Sequence, residues 1–535
     1  MDLSDLYKKV NFSRDFIVQL CLILFIIFGL ASKFFISIYL RLDSDSVGMG
    51  LMSMEIGKHH NYLLSGYHLL SSDSLVFTEL IPFQLIPQIL TNYNPLSLKI
   101  ITFLIFVLSV IILSYLVYFV SGKIFPALLF GALATNIPPE GYFWLTFPTT
   151  HNATILFGAV ILLIVLYLNK AVEKQMESDG KNKKKKIDVP YSYSIPWSYF
   201  ILLILLVFLS VLSDTIILIW VIIPYILAYL LFYKRKTKVI NLVVVFISTI
   251  SVLAYIIKTY FIPGWFKASY GINSIQDIFL VNVPLFFKAQ VMFLNHGLFR
   301  YMESVNNTEP IEIISIFLFV CAIIYVLKNI WNDWKNNTSE KRFFYSILLI
   351  SIIMIFSSFL ISSYVYDLMG ARYLTFISLI LLVLVAVSSP EREKYFMVIV
   401  LLLLIFSTIS SCIYISSMNL NPNEREYDLI TYLASQNLTY GYGTYWNSNI
   451  VTYLSGEHVI IRSTYFFPDD IKPFLLNSCD RWYEYKPNSS FLIKDTTLLS
   501  ERAQDSFPSL IKSGNISDVL HYRNYDIYPF NFTRQ

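Results

Sequence analysis

Charged residues are scarce in this sequence. Asp, Glu, Lys and Arg make up 14% of its 535 residues and hydrophobic residues 56%, whereas soluble domains carry about 25% charged residues. This composition excludes an ordinary water-soluble protein and is typical of polytopic membrane proteins. Lys and Arg outnumber Asp and Glu only enough to give a net charge of +4. So weak a positive charge predicts no nucleic-acid partner.

Paired cysteines and nucleotide-binding motifs are also missing. Three of the four cysteines, Cys21, Cys321 and Cys412, lie in apolar runs, and Cys479 lies in the polar tail. With neither a pairing pattern nor metal-ligand spacing, we expect no disulfide framework and no zinc site. The sequence contains neither GxGxxG nor a Walker A motif. A reaction driven directly by a cytoplasmic nucleotide is therefore not predicted.

Long apolar runs are abundant instead. A helix of about 20 apolar residues is long enough to cross the hydrocarbon core of a bilayer. We predict about eleven transmembrane helices, at 16–40, 97–120, 124–137, 152–169, 197–213, 215–233, 239–262, 311–328, 343–363, 373–389 and 396–418. The predicted fold class is thus a polytopic α-helical membrane protein, with a transmembrane module at 1–418.

The placement of Lys and Arg predicts the orientation of these spans, because short basic loops mark the cytoplasmic side. The basic segments all fall on one face of the predicted bundle, at 7–9, 121–123, 181–186, 233–238, 340–342 and 391–394. We therefore expect a multi-pass protein of the plasma membrane with a cytoplasmic N-terminus. The segments 41–96, 138–151, 263–310 and 364–372, and the tail, would be extracytoplasmic.

The tail, residues 419–535, has a different texture. Short β-type runs (HVIIR, SFLIK, DIYPF) alternate with helix-like segments (EREYDLITYLASQ, LLSERAQDSFPSLIKS). This alternation predicts a small soluble α/β domain. By the predicted topology it lies on the extracytoplasmic surface.

An acidic pair, Asp43 and Asp45, follows the first apolar run in SIYLRLDSDSVGMGLMSMEIGKHH. Two carboxylates at this spacing can supply a general base with a supporting neighbour, or chelate a divalent cation through oxygen. Alternatively, Asp45 or Ser46 caps a helix that begins near Val47. The residues alone leave these three possibilities open.

The segment 47–60 has the pattern of an amphipathic helix in the membrane interface. Its apolar face would comprise Val47, Leu51, Met52 and Met54, and its polar face Glu55, Lys58, His59 and His60. Lys58 and the histidines could bind a lipid phosphate, or could simply meet lipid headgroups. The same segment could instead be a helix packed on the mouth of the bundle.

Other candidate residues lie in the remaining extracytoplasmic segments. Arg372, in DLMGARYLTF, can bind a phosphate through its planar guanidinium, or can snorkel at the interface. Lys267 lies beside aromatic residues in PGWFKASYG and is a second candidate cation. Glu140 and His151 frame the loop PPEGYFWLTFPTTH, which we expect to shape a cavity wall.

Three stretches resemble GT-C glycosyltransferases of the family-39-like group, which includes protein mannosyltransferases and aminoarabinose transferases. DSDSVGMGLMSMEIGKHHNYLLSGYHLL is similar to the first-loop pattern of prokaryotic members, in which an acid is followed by G-L-M-A-x-x-I and a Tyr/Gly turn. ARYLTF resembles an Arg-Tyr-Leu at a late span. LTYGYGTYWNSNIVTYLSGEHVII resembles a tail segment with Gly-Tyr-x-x-Tyr-Trp and then Leu-Ser-Gly-Glu.

This resemblance implies a GT-C fold and transfer of a sugar from a polyprenyl (dolichyl-type) phosphate to a glycan, lipid or protein acceptor. It implies that Asp45 is the base, with Asp43 as its neighbour or a cation ligand.

The resemblance also makes Arg372 a contact of the donor phosphate, with Lys267 and Lys58 as further candidates. Possible cavity residues are Glu140, His151 and His59. No cofactor is required by this resemblance, although a divalent cation on Asp43 and Asp45 is possible. Many relatives have Asp-Glu where this chain has Asp-Ser, which leaves open which aspartate is the base.

Three other functions are compatible with a polytopic membrane protein. A lipid-linked oligosaccharide flippase or other transporter usually shows paired repeats and ionisable groups near mid-span, whereas the acids here gather at one mouth. A scaffold that only presents its tail would not need the acidic pair. An oligosaccharide ligase or polymerase shares the predicted sidedness and differs in its donor. The sequence does not identify the sugar, the acceptor or the linkage.

Overall fold

The computed structural model describes residues 14–69, 75–137, 145–148, 151–183, 197–233, 238–261, 271–287, 310–336, 339–363, 372–389, 394–467, 470–485, 487, 489–497 and 519–531. Within these ranges the chain forms a bundle of apolar helices, followed by an α/β sheet domain at its C-terminal end.

The helices before the sheet domain are α1 (Arg14–Ile38), α2 (Gly48–Gly57), α3 (Leu85–Leu90), α4 (Pro95–Ser121), α5 (Ile124–Thr135), α6 (Asn152–Lys183), α7 (Trp197–Ser213), α8 (Ile223–Phe232), α9 (Lys238–Ile256), α10 (Ile275–Asp277), α11 (Pro310–Asn336), α12 (Ser339–Ile361), α13 (Thr375–Val387) and α14 (Lys394–Ser417). Short π-helical stretches adjoin α3, α8, α9 and α10, at Val76–Gln84, Leu218–Ile222, Ile257–Phe261 and Ile278–Asn282.

The protein is a helical multi-span membrane protein. By length and composition, six described helical segments could cross a membrane: Phe16–Ile38, Pro95–Ser121, Asn152–Glu173, Lys238–Tyr260, Glu340–Ile361 and Tyr395–Ser417. Each of the other predicted spans coincides with a shorter or partly described apolar helix, so every predicted apolar run lies in a helix. The buried residues of these helices pack into one apolar core.

Local signals set the ends of the second span. Asn94 precedes α4 and its side chain accepts a hydrogen bond from the Leu96 amide, while Pro95 occupies the first turn, where it has no amide to satisfy. At the other end Gly122 adopts a left-handed conformation with φ 71° and donates to the Tyr118 carbonyl. The span is therefore stopped at both ends by its own sequence.

The C-terminal domain contains α15 (Glu424–Ser435), α16 (Tyr445–Leu454) and the strands β2 (Tyr440–Gly443), β3 (Ile460–Phe467), β4 (Asp470–Pro473), β6 (Ser489–Asp495), β7 (Leu520–Tyr522) and β8 (Tyr525–Asn531). The described strands form a six-stranded sheet in the order β4-β3-β2-β6-β8-β7. Strand β2 pairs in parallel with β3 and β6, and the other pairs are antiparallel. This mixed sheet confirms the α/β character predicted for the tail, although the helix predicted within 498–513 lies outside the described residues.

The first loop is built into the C-terminal domain. Strand β1 (Tyr67–His68) of that loop pairs with β5 (Ser478–Cys479) of the tail. A second apolar core joins residues of α2 to residues of α15, α16 and the sheet. Helix α2 approaches α16 so closely that a Cβ on Gly50 would lie 2.1 Å from the Tyr453 ring, which only glycine permits.

The prediction that the helix within 47–60 lies in the membrane interface is wrong, because this helix is buried in protein. Helix α2 is buried on every side from Gly48 to Ile56, including Glu55, whose exposed fraction is 1%. The alternative, a helix packed on the mouth of the bundle, describes it better. Glu55, Lys58 and His59 pair with residues of the tail.

Candidate functional site

The acidic pair lies in a tight turn between α1 and α2. The Asp43 carboxylate accepts a hydrogen bond of 2.8 Å from the Ser46 amide, and the Ser46 hydroxyl donates to the Asp43 carbonyl at 2.8 Å. The residue that caps α2 is Val47, without any side-chain hydrogen bond. The prediction that Asp45 or Ser46 caps this helix through its side chain is therefore wrong, and the Asp45 carboxylate makes a different contact.

That contact comes from the C-terminal domain. The Tyr445 hydroxyl donates a 2.5 Å hydrogen bond to Asp45 Oδ1, and Asn477 Nδ2 donates to the Tyr445 oxygen at 3.1 Å. The Ser44 hydroxyl donates to the Tyr445 carbonyl at 2.6 Å. Tyr445, the first residue of α16, thus holds the acidic turn through its side chain and its backbone.

Arg372 lies near enough to Asp45 to act on it through its charge. Its positive charge acts on Asp45 and favours the ionised form of that carboxyl. The guanidinium stands 5.1 Å from the centre of the Tyr373 ring, and its Nη2 donates to the Tyr373 hydroxyl at 3.2 Å. The structure therefore brings Arg372 into the neighbourhood of Asp45, although more than 300 positions separate the two residues in the sequence.

Both carboxyls of the pair are harder to ionise than usual. Burial, and then the charge of Asp45, raise the pKa of Asp43 from 3.8 to about 6, against the opposing hydrogen bonds from Ser46. Burial also raises the pKa of Asp45, against the Tyr445 hydroxyl and the Arg372 charge. A carboxylate whose pKa lies closer to neutrality is a better proton acceptor at physiological pH.

A second cluster is centred on His151 and Asp214. His151 Nδ1 lies 2.6 Å from Asp214 Oδ2, the Thr154 hydroxyl donates to the same oxygen, and the Ile216 amide donates to Oδ1 at 3.0 Å. Burial would raise the pKa of Asp214, but the neighbouring His151 and the Thr154 hydroxyl hold it below its usual value. When Asp214 is ionised it can only accept, so His151 then donates to it from Nδ1.

The two clusters are adjacent. The ring centre of His151 lies 5.5 Å from that of Tyr373, the residue that holds Arg372. His151 thus lies near Arg372, and its predicted role as a cavity residue stays a prediction. Sequence reasoning gave no role to Asp214, its partner.

The peptide just before Asp43 is fixed by the start of α15. Asn423 donates through Nδ2 to the Leu42 carbonyl at 2.9 Å and accepts from the Leu42 amide at 3.1 Å. Arg41, one residue earlier, pairs with Glu426 at 2.7 Å. The Asn423 side chain thus satisfies both backbone groups of Leu42, as a neighbouring β-strand would. It thereby fixes the direction in which the chain enters the acidic turn.

Lys58 and His59 pair with Glu457 in the turn after α16. Lys58 Nζ lies 3.4 Å from one Glu457 oxygen and His59 Nε2 lies 2.9 Å from the other. The Lys58 amine also lies 5.0 Å from the centre of the Tyr93 ring. These contacts give both residues a partner in the C-terminal domain, and their predicted contact with a phosphate or with headgroups stays a prediction.

Two further candidates, Lys267 and Glu140, lie outside the described residues. Within the described ranges, no three His, Cys, Asp or Glu side chains are grouped so as to hold a metal ion. No metal is predicted with certainty from the sequence, and the possibility that Asp43 and Asp45 chelate a divalent cation is untested.

Tyr445, Asn477, Asp214 and Asn423 were not among the predicted site residues. A signal was present for Tyr445, which lies in the Gly-Tyr-x-x-Tyr-Trp segment of the tail. The other three occur in stretches with no distinctive local pattern, and each acts through a residue distant in sequence.

Comparison with known proteins finds similarity in structure and no match in sequence. No family model and no curated protein matches this sequence. Among solved structures, the chain is similar to the archaeal oligosaccharyltransferase AglB from Archaeoglobus fulgidus, in complex with an inhibitory peptide and a dolichol-phosphate. The TM-score is 0.46 and the sequence identity is 13%; the match covers 82% of this chain and 64% of AglB. At this level the likeness concerns only the path of the chain, so the site has to be judged on its own geometry.

Proposed function

We propose that this protein is an integral membrane glycosyltransferase that moves a sugar from a polyprenyl phosphate to an acceptor hydroxyl. The observation that carries the proposal is the acidic turn, where Asp45 is held by Tyr445 of the tail and lies within the field of Arg372. In this proposal Asp45 is the proton acceptor and Arg372 the cation that binds the phosphate, beyond the end of α1. The resemblance of the turn, of ARYLTF and of the tail segment to family-39-like GT-C enzymes supports the same function.

In this mechanism the Asp45 carboxylate takes the proton of the acceptor hydroxyl. The acceptor oxygen attacks the anomeric carbon from the side opposite the phosphate, and the bond from that carbon to the phosphate oxygen breaks. The products are an inverted glycoside, a polyprenyl phosphate and a protonated Asp45. Arg372 stabilises the negative charge that grows on the leaving phosphate, and such electrostatic stabilisation often contributes more to catalysis than any other effect.

The other residues of the site have supporting roles in this proposal. The charge of Asp45 helps to raise the pKa of Asp43, so Asp43 takes up a proton more readily than an isolated carboxylate does. Tyr445 fixes the rotamer of Asp45. His151, oriented by Asp214, would line the donor cavity near Arg372. The C-terminal domain covers the mouth of the bundle, where it would meet the acceptor.

The sidedness of the site supports a donor delivered on a lipid. The six basic segments predict that the acidic turn faces away from the cytoplasm, where nucleotide sugars are absent. A sugar carried on a polyprenyl phosphate is available on that side, and its lipid tail would lie between the spans.

The proposal is tested by incubating the purified full-length protein with a panel of polyprenyl-phosphate monosaccharides and an acceptor mixture. We expect one donor to be consumed, with release of polyprenyl phosphate and an inverted anomeric centre in the product. Consumption of only diphosphate-linked oligosaccharides would favour an oligosaccharide ligase, and consumption of no donor would overturn the transferase assignment. The catalytically impaired variant Asp45→Asn serves as the background control.

A further inference from the structure

A cavity of about 370 Å³ lies apart from the acidic turn, where several membrane helices end. Its walls include Ile38, the last residue of α1, Pro95, the first residue of α4, and Leu420, three residues beyond α14. Because three apolar helices end at this cavity, its floor lies at the boundary between hydrocarbon and water. The volume falls within the range of about 300–1,000 Å³ typical of ligand sites.

A buried cation lines this cavity. Lys99 has an exposed fraction of 8%, and its amine donates one hydrogen bond, of 2.9 Å, to the Ile38 carbonyl. In the part of the chain that the structure describes, Lys99 forms no ion pair. An ammonium group has three donors, so two of them lack an acceptor among the described residues. Burial of a charge without a counter-ion is costly, and this cost indicates that an anion normally completes the site.

Snorkelling does not account for Lys99. A snorkelling lysine extends its amine into water along an exposed face, whereas this side chain is enclosed between α1 and the start of the C-terminal domain. Another lysine, Lys58, shows the contrast, because it has a carboxylate partner in Glu457.

The walls identify the anion as part of an amphiphile. Most of the remaining lining is apolar or aromatic, including Tyr39, Leu42, Tyr427 and Leu454. On the lipid side, Leu96 and Leu420 are 43% and 56% exposed, which leaves an apolar surface for a hydrocarbon chain. A soluble anion would gain nothing from these apolar neighbours, whereas a lipid would contact both them and the amine.

The rim restricts the headgroup. Asp428 is paired with Arg523 at 2.6 Å, but Glu424 is exposed and forms no ion pair among the described residues. A carboxylate at the rim repels a second negative charge and accepts hydrogen bonds from hydroxyl or amine groups. The headgroup that fits is therefore a phosphodiester with a hydroxyl- or amine-bearing substituent.

We infer that this cavity is a binding site for a membrane phospholipid, whose phosphodiester is held by Lys99 and whose chains extend along α1 and α4. This inference does not depend on the proposed sugar transfer. The bound lipid would fill the space between the spans and α15, beside the Asn423 contact that fixes the entry to the acidic turn.

The test is native mass spectrometry of the full-length protein in detergent, titrated with phosphatidylglycerol. We expect one saturable lipid, with affinity lowered about tenfold or more in Lys99→Met, which corresponds to loss of about one charge-assisted contact. Leu420→Trp, which narrows the cavity and keeps the charge, should also weaken binding. Lys123→Met serves as the matched control, since Lys123 is exposed beyond the opposite end of the same helix, and it should bind as the unmodified protein does.

Two competitors separate the possible sources of the anion. Inorganic phosphate and diacylglycerol should each fail to displace the lipid, because phosphate lacks the hydrocarbon chains and diacylglycerol lacks the phosphodiester. Displacement by phosphate would indicate a soluble-anion site, and displacement by diacylglycerol would indicate unspecific contact with the hydrocarbon. Either result, or unchanged affinity in Lys99→Met, would overturn the inference.

Discussion

Tyr445 donates a 2.5 Å hydrogen bond to Asp45, and the two residues are 400 positions apart in the chain. This contact joins α16, the second helix of the C-terminal domain, to the turn that follows the first span. Since the Ser44 hydroxyl also bonds to the Tyr445 carbonyl, the acidic turn cannot keep its shape if the C-terminal domain moves away. Assembly of the candidate site is thus coupled to docking of the tail.

Removal of the Tyr445 hydroxyl should impair transfer without removing the base. In Tyr445→Phe, Asp45 loses a hydrogen bond that lowers its pKa, so the acidic limb of the pH–rate profile should move to higher pH. We expect transfer to fall by about tenfold, the effect of one charge-assisted hydrogen bond. A pH series of initial rates measures both effects.

Tyr62→Phe provides the control, because Tyr62 is 70% exposed and lies outside the cluster. It should leave the rate and the pH profile unchanged. An unaltered profile in Tyr445→Phe would show that the hydroxyl has no influence on the base.

Transfer should depend on pH through Asp43. Its pKa is raised to about 6, so the carboxylate is ionised above this value and protonated below it. If catalysis requires both charges, the rate should rise as the pH increases through about 6. Asp43→Asn should remove the Asp43 contribution near pH 6 and leave only the limb set by Asp45, while the amide oxygen of the new side chain can still accept from the Ser46 amide.

The same shift has a consequence for stability. A carboxyl whose pKa is higher in the folded than in the unfolded chain stabilises the fold below about pH 4, and this contribution is lost as the pH rises through about 6. Thermal unfolding of Asp43→Asn should therefore vary less with pH than that of the unmodified protein over this interval. An identical pH dependence would contradict the raised pKa.

Glu55 should be essential for docking of the tail. It is buried in α2 and accepts from Arg481 Nη2 at 2.7 Å and from the Trp482 indole at 2.5 Å. Glu55→Ala leaves both donors without an acceptor, and we expect a loss of about 2–3 kcal/mol in the free energy of unfolding. Denaturation in detergent, followed by the fluorescence of Trp482 and its neighbours, measures the change.

An exposed carboxylate gives the matched comparison for Glu55. The Glu340 side chain is 48% exposed, and its ion pair with Lys170 is long, at 4.0 Å. Because such a pair is weak, Glu340→Ala should change stability by no more than about 0.5 kcal/mol. Equal effects of the two substitutions would mean that the Glu55 contacts do not hold the domain.

Asn423 should act as a positioning residue. Both of its bonds to Leu42 are lost in Asn423→Ala, whereas Asn423→Asp keeps the acceptor of the Leu42 amide. We expect kcat to fall more than KM changes, and the aspartate variant to recover part of kcat. Gln436→Ala, at an exposed helix end, is the control; a rise in KM with unchanged kcat would instead indicate a role in binding.

The spans could be predicted because their signal is local. An apolar run long enough to cross a bilayer forms a helix whatever surrounds it, since every backbone group must be satisfied within the segment. The ends of α4 show the same independence, as Asn94, Pro95 and Gly122 stop the helix with their own chemistry. Strands β3, β6 and β8 were similarly visible as short β-type runs.

The contacts of α2 could not be predicted from its local sequence. Its sequence has the polarity of a helix between lipid and water, yet Glu55 is neutralised by Arg481, a residue 426 positions away. Asp45 likewise receives its partner from α16, and its interpretation as a helix cap fails because Tyr445 takes its carboxylate. Polarity in a sequence shows that a partner is needed, without showing whether it is water or another part of the chain.

The most direct measurement is the rate at which purified Asp45→Asn transfers sugar from the donor identified with the unmodified protein. The substitution keeps the size of the side chain and an oxygen that can accept from Tyr445, but removes the proton acceptor. Loss of a general base typically costs about 10²–10⁴-fold, so we expect a fall of this size with an unfolding temperature close to that of the unmodified protein. Full transfer by Asp45→Asn would contradict the assignment of Asp45 as the base.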